Sequence, residues 1–104
     1  MANAYKVLGQ SAPVAITPTD VYTVPAATEA VVSTIIIANR AATAGTYRIS
    51  VRPDGAAQSD LHYIAYDVII VANDSTTLTV GITLNAADVI TLYCSSADMS
   101  INVF

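Results

Sequence analysis

The chain has 104 residues, of which 54% are hydrophobic and only 12% charged, against roughly 25% charged in an average soluble domain. That length fits one compact domain, and that balance excludes intrinsic disorder, which needs low hydrophobicity and high charge. A net charge of −4 argues against a nucleic-acid ligand, and one Cys and one His exclude a disulfide framework and almost every zinc site within one chain.

Val and Ile number 23 and Thr 12, while Leu numbers 5 and Lys and Glu one each. β-Branched side chains lose rotamer freedom in helices and fit a pleated sheet, so the elements are read as strands. A first strand is expected at Ala4–Leu8, closed by Gly9. Pro13 and Pro18 mark an extended stretch, and residues 1–18 read as an interaction arm. Asp20–Val24 is a short strand stopped by Pro25. Ala30–Asn39 is the longest β-branched run, apolar on both faces, as a central or covered strand is. Thr46–Arg52 alternates cleanly, with Tyr47, Ile49 and Val51 on one face and Arg48, Ser50 and Arg52 on the other. Pro53-Asp54-Gly55 is a turn.

Leu61–Val71 is read as one long or two broken strands with a bend at Asp67. Asn73-Asp74-Ser75 is another turn; it also matches a glycosylation triplet, and the turn reading is preferred. Thr76–Leu84 sets Leu78, Val80, Ile82 and Leu84 against Thr77, Thr79, Gly81 and Thr83. Val89–Cys94 places Ile90, Leu92 and Cys94 opposite Thr91 and Tyr93. Met99–Phe104 is the last strand. About eight strands at short spacing, with no amphipathic helix, predict a single all-β domain over residues 1–104. The architecture expected is an antiparallel β-sandwich, jelly-roll or immunoglobulin-like.

No apolar run approaches the ~20 residues of a membrane span, and the opening residues do not read as a signal peptide. Mean hydropathy is +0.55, an excess expected to be buried in contacts between copies or with a larger assembly. The candidate interface residues are Tyr5, Arg40, Arg48, Arg52, Tyr63, Tyr66 and Phe104. Arg is enriched at protein contacts, and Arg48 and Arg52 share a face on which they could meet acidic loops of a neighbour. Ser59-Asp60-Leu61-His62 brings a hydroxyl, a carboxylate and an imidazole together, but a triad is defined by geometry and not by proximity in sequence. His62 reads as a surface or interface residue. Cys94 reads as a small buried hydrophobe. The eight carboxylates are scattered, and no dense acidic loop suggests calcium. No pattern calls for a cofactor.

Several segments taken in order carry a resemblance. They are Tyr5-Lys6-Val7-Leu8-Gly9-Gln10, Tyr22-Thr23-Val24-Pro25-Ala26, Ala30-Val31-Val32-Ser33-Thr34-Ile35, Asn39-Arg40, His62-Tyr63-Ile64, Tyr66-Asp67 and Ala72-Asn73-Asp74-Ser75. The chain closes with Gly81-Ile82-Thr83-Leu84 and Asn102-Val103-Phe104. Over nearly its whole length it resembles a family of small virion structural proteins of tailed bacteriophages, including those of cyanobacteria and other aquatic bacteria. The resemblance implies an accessory particle protein of capsid, neck or tail, with no catalytic residues to transfer. The expectation is a non-enzymatic capsid decoration (cement) protein, located in the virion and assembled in the bacterial cytoplasm. It would form a symmetric homo-oligomer, a trimer, and bind major capsid or tail proteins, with no nucleic acid, membrane or cofactor. The alternatives are a tail, fibre or baseplate module that binds other virion proteins or a host glycan, and a small hydrolase using His62 with Ser59 or Cys94.

Overall fold

Ten consecutive residues, Ala30–Asn39, form the longest internal strand, and the rest of the fold assembles around strands of the same kind. The computed structural model of the chain describes residues 7–104. Eight strands follow in chain order: β1 (Gly9–Ser11), β2 (Thr19–Thr23), β3 (Ala30–Asn39), β4 (Gly45–Arg52), β5 (Tyr63–Ile70), β6 (Ser75–Leu84), β7 (Val89–Cys94) and β8 (Met99–Val103). Short 3-10 turns at Pro53–Gly55 and Asp60–His62 fill the β4–β5 connection.

The strands make two four-stranded sheets, ordered β1-β8-β3-β6 and β2-β7-β4-β5. Every pairing is antiparallel. All connections except β4–β5 pass from one sheet to the other, which is the two-Greek-key arrangement of a jelly roll. An immunoglobulin sandwich pairs its first two strands within one sheet; here β1 and β2 lie in opposite sheets. Of the two architectures expected, the chain therefore adopts the jelly roll.

The four internal strands supply most of the core. Val32, Ile35 and Ile37 come from β3, Ile49 from β4, Ile90, Leu92 and Cys94 from β7, and Met99, Ile101 and Val103 from β8, all at 0% exposure. The register shifts between the pairs Val32↔Ile82 and Thr34↔Thr79, where β6 carries one residue more than β3, and on β3 both Val32 and Ile35 are buried. The edge strands close the core less fully: Ala65 of β5 and Leu78, Val80 and Ile82 of β6 pack on it but stay half-buried. Buried polar groups are partnered. Asn39 donates its amide to the carbonyls of Thr43, Ile70 and Val71 and accepts from Ala41 N–H, so it ties two loops to the end of β3. At the opposite end Asp88 accepts the backbone N–H groups of Asp54 and Asn85. Those two bonds, that from Asp54 foremost, hold its carboxyl below the ordinary 3.8.

One expectation for the N-terminal stretch needs correction. Among the described residues the first strand is Gly9–Ser11; Val7 and Leu8, the described end of the strand expected at Ala4–Leu8, precede it, and residues 4–6 lie outside the described residues. Gly9 opens the strand rather than ending one. The backbone of Val21 in the facing sheet approaches so closely that a side chain at Gly9 would meet its carbonyl. Gly9, Gln10 and Ser11 pair with Val103, Asn102 and Ile101 of β8, and Ile16 N–H donates to the Cys94 carbonyl at 2.8 Å. Asp67 does not end a strand. It is a bulge residue with φ 50° inside a continuous β5, between the pairs Tyr47↔Val68 and Ile49↔Ala65.

Candidate interaction surface

Alternation along β4 turns Tyr47 and Ile49 into the core and Arg48 out onto the solvent face of the β2-β7-β4-β5 sheet. There Arg48 lies beside Tyr93 of β7, its directly paired neighbour. Its guanidinium carbon sits 4.2 Å from the Tyr66 ring centre and 4.4 Å from that of Tyr93, both within cation–π range. The Asp67 bulge aims its carboxylate at the same group. Nε and Nη2 donate to the two carboxylate oxygens at 2.6 and 3.2 Å, a forked pair. The hydrogen bond from Arg48, aided by its charge and opposed by partial desolvation, holds Asp67 below the ordinary carboxylate value; the same bond raises Arg48. Tyr63 meets Tyr66 edge-to-face, with centroids 4.9 Å apart at 83°. The cluster fastens β5 to β4 and β7.

Arg52 lies further along the same face. Its Nη2 donates to Asp20 at 2.8 Å, its Nε to the Thr91 hydroxyl at 3.1 Å and its Nη1 to the Ala56 carbonyl at 2.9 Å. Arg48 and Arg52 do share one polar face, as the alternation predicts. Their acidic partners, however, are Asp67 and Asp20 of the same chain. Within the chain, the bulge and the β2 edge deliver carboxylates to both guanidinium groups.

The other candidates are dispersed. Arg40 follows β3 and donates to the Ser100 hydroxyl at 2.9 Å and the Ala97 carbonyl at 3.3 Å. Phe104 follows β8, where its N–H donates to the Thr34 carbonyl at 2.9 Å. Both belong to the opposite sheet, near opposite ends of β8. Tyr5 lies outside the described residues. An open depression of about 440 Å³ lies at Ala38–Arg40 and Asn73–Ser75, away from the tyrosine cluster. Asn73 has φ 55° and donates its N–H to the Ala41 carbonyl, so its triplet forms a turn.

The residues weighed for hydrolysis are placed as follows. His62 is buried, and its Nδ1 accepts the Ser59 N–H at 3.2 Å while His62 N–H donates to the Ser59 carbonyl. That exchange closes a 3-10 turn and engages Nδ1, the nitrogen a triad carboxylate would orient, with a backbone N–H instead. The Cys94 thiol is fully buried, and desolvation pushes it up to about 11, far from a thiolate at neutral pH. Among the described residues, no three His, Cys, Asp or Glu side chains gather as metal ligands, and no helix is long and apolar enough to cross a membrane.

The feature that sequence reasoning missed is apolar. Between residues 61 and 71, six large hydrophobic side chains stand exposed: Leu61 at 82%, Ile64 at 49%, Tyr66 at 55%, Val68 at 38%, Ile69 at 66% and Val71 at 57%. Its signal was available in the sequence, because Asp67 is the only charge between His62 and Asp74. No protein-family model, curated protein or solved structure matches the chain.

Proposed function

We propose that this chain is a non-enzymatic structural protein of a tailed-phage virion, a capsid decoration (cement) protein that works by adhesion as a symmetric homo-oligomer. The observation that carries the reading is the exposed apolar strip at residues 61–71, presented beside a core that is already closed. A jelly roll serves many functions; what favours a binding part here is apolar surface held rigidly where water would otherwise meet it. The order of segments that resembles small virion proteins points the same way. Adhesion stabilises a shell by mass action, because a subunit that binds only assembled lattice shifts the equilibrium toward it.

Co-sedimentation with purified empty capsids, and separately with purified tails, tests the reading. Binding to capsids at a fixed ratio is the expected result. Binding to tails alone replaces the decoration role by the tail-module alternative. Binding to neither overturns the virion reading.

A further inference from the structure

The exposed stretch 61–71 is aliphatic towards its ends, but its centre has a different chemistry. Tyr66 and Asp67 stand there, and the adjacent strands β5, β4 and β7 bring Tyr63, Arg48 and Tyr93 to the same place on the outer face of their sheet. Arg48 takes one face of the Tyr66 ring, yet Tyr66 stays 55% exposed. The phenol hydroxyls of Tyr63, Tyr66 and Tyr93 and the Arg48 Nη1 make no hydrogen bond among the described residues. The Asp67 side chain, 43% exposed, receives only the two Arg48 donors and keeps lone pairs for others. Aromatic surface, hydroxyls, N–H donors and carboxylate acceptors thus meet on three neighbouring strands, and the two charges among them cancel.

We infer that this cluster binds a neutral polysaccharide, one sugar ring lying on Tyr66 with its hydroxyls bonded to Asp67 and Arg48. The inference goes beyond the adhesive reading above and does not depend on it. Each part of a pyranose has a counterpart here. Its C–H face is apolar and meets an aromatic ring, while its edge carries vicinal hydroxyls, each both donor and acceptor. Adjacent hydroxyls can donate to the remaining lone pairs of Asp67 and accept from the Arg48 Nη1. Other occupants fit worse. An anionic ligand, nucleic acid included, needs an uncompensated cation, and Arg48 is forked to Asp67 on a chain of net charge −4. A protein docked flat would take three phenol hydroxyls and the fork out of water together, at a cost for every group left unpartnered. A sugar brings hydroxyls to those groups and leaves the rim wet. The rings and the guanidinium are already stacked, so little ordering is lost on binding.

Saturation-transfer NMR and calorimetric titration of the whole chain test the inference. The probes are neutral oligosaccharides of glucose, galactose, mannose and N-acetylglucosamine, with oligoalginate, a uronate chain, as the charged control. At least one neutral probe is expected to bind, with Kd on the order of 1 mM, and to shift the Tyr66 ring protons, a readout that needs no variant. Tyr66→Ala should weaken binding by about tenfold or more, whereas Tyr66→Phe, which keeps the ring, should retain most of it. Both should keep the wild-type far-UV dichroism. Thr79→Lys on β6 of the opposite sheet should bind as the wild type does. Silence from every neutral probe overturns the inference. So does binding that survives Tyr66→Ala, or oligoalginate bound as well as the neutral probes. Loss of capsid co-sedimentation in Tyr66→Ala, with no sugar bound by the wild type, also overturns it and makes this face a protein contact. Capsid co-sedimentation of the wild type is scored separately, so failure of the sugar site and failure of the virion reading give different results.

Discussion

β5 and β6 are both long outer strands, yet they treat water in opposite ways. β6 alternates without a break, with Leu78, Val80, Ile82 and Leu84 inward and Thr or Gly outward. β5 exposes Ile64, Tyr66 and Ile69 outward, while Val68, paired with core-facing Tyr47, is part-exposed at the open side of the strand. Both have half-buried inward side chains, because each lacks a neighbour on one side. The difference lies in the outward residues alone. β-Branched Thr keeps strand propensity while offering water a hydroxyl, whereas Ile and Val keep the propensity and offer a surface for another protein. One sandwich thus carries one outer strand with polar outward side chains and one with apolar ones.

The largest expected effect separates folding from adhesion. Ile37→Ala removes a side chain with 0% exposure from the centre of β3. It should cost about 2–5 kcal/mol, read from urea unfolding. Ile69→Ala on β5 should fall within about 0.5 kcal/mol of wild type when measured in dilute monomer. If Ile69→Ala costs as much as Ile37→Ala, the β5 surface belongs to the fold and the contrast with β6 fails.

The second effect exchanges the two surfaces. Ile69→Thr gives β5 the outward chemistry of β6, and self-association should drop by about tenfold with the fold retained. Thr79→Ile gives β6 the chemistry of β5, and new concentration-dependent association should appear in light scattering. Retained association in Ile69→Thr, together with none gained in Thr79→Ile, would show that outward chemistry does not decide adhesion.

What could be read from the sequence follows the same division. β6, β7 and most of β4 were legible because period-2 alternation states which face is buried. The Ala30–Asn39 strand was legible as internal because both of its faces are apolar, and it does lie between β8 and β6. β5 was legible as strand but not as a surface. A bulge resets the period, so inward and outward positions after Asp67 cannot be counted from those before it. β1 was displaced because the residue that permits close packing on Val21 is Gly9, and a glycine in isolation reads as a terminator. Among the interface candidates, Arg48, Tyr63 and Tyr66 were brought together, while Asp67, read as a bend, proved to be the group that organises them. Sequence shows that the arginines are few, not that the carboxylates fold back to reach them.

Acid probes the bulge that distinguishes β5. Asp67 and Asp88 both titrate below the ordinary 3.8 in the folded chain. A carboxylate with a lowered folded pKa stabilises the fold above its unfolded value and loses that contribution as pH falls through the folded one. Urea midpoints should therefore be steady from neutral pH down to the ordinary carboxylate value and then decline. Asp67→Asn keeps a side chain that tolerates positive φ but removes the charge. It should lower the midpoint slightly at neutral pH, far less than Ile37→Ala, and flatten the acid decline. An unaltered acid slope would mean that the Arg48–Asp67 fork does not hold β5 in place.

The smallest expected effect lies on β6. Gly81 faces outward in the middle of the strand, and a Cβ built there would meet nothing within 4 Å. Its φ is not positive, so the position does not require glycine for its backbone. Glycine loses more conformational freedom on folding than any other residue. Gly81→Ala should therefore stabilise the chain by about 0.5 kcal/mol through the unfolded state, with no new contact. The gain should leave the oligomer mass unchanged, since the outward residues of β6 are Ser, Thr and Gly. A loss of stability would mean that the register shift near Gly81, where β6 carries one residue more than β3, depends on the missing side chain. A change of mass would mean that β6 also meets a neighbour, and that the polar outward chains of this edge do not suffice to keep it apart.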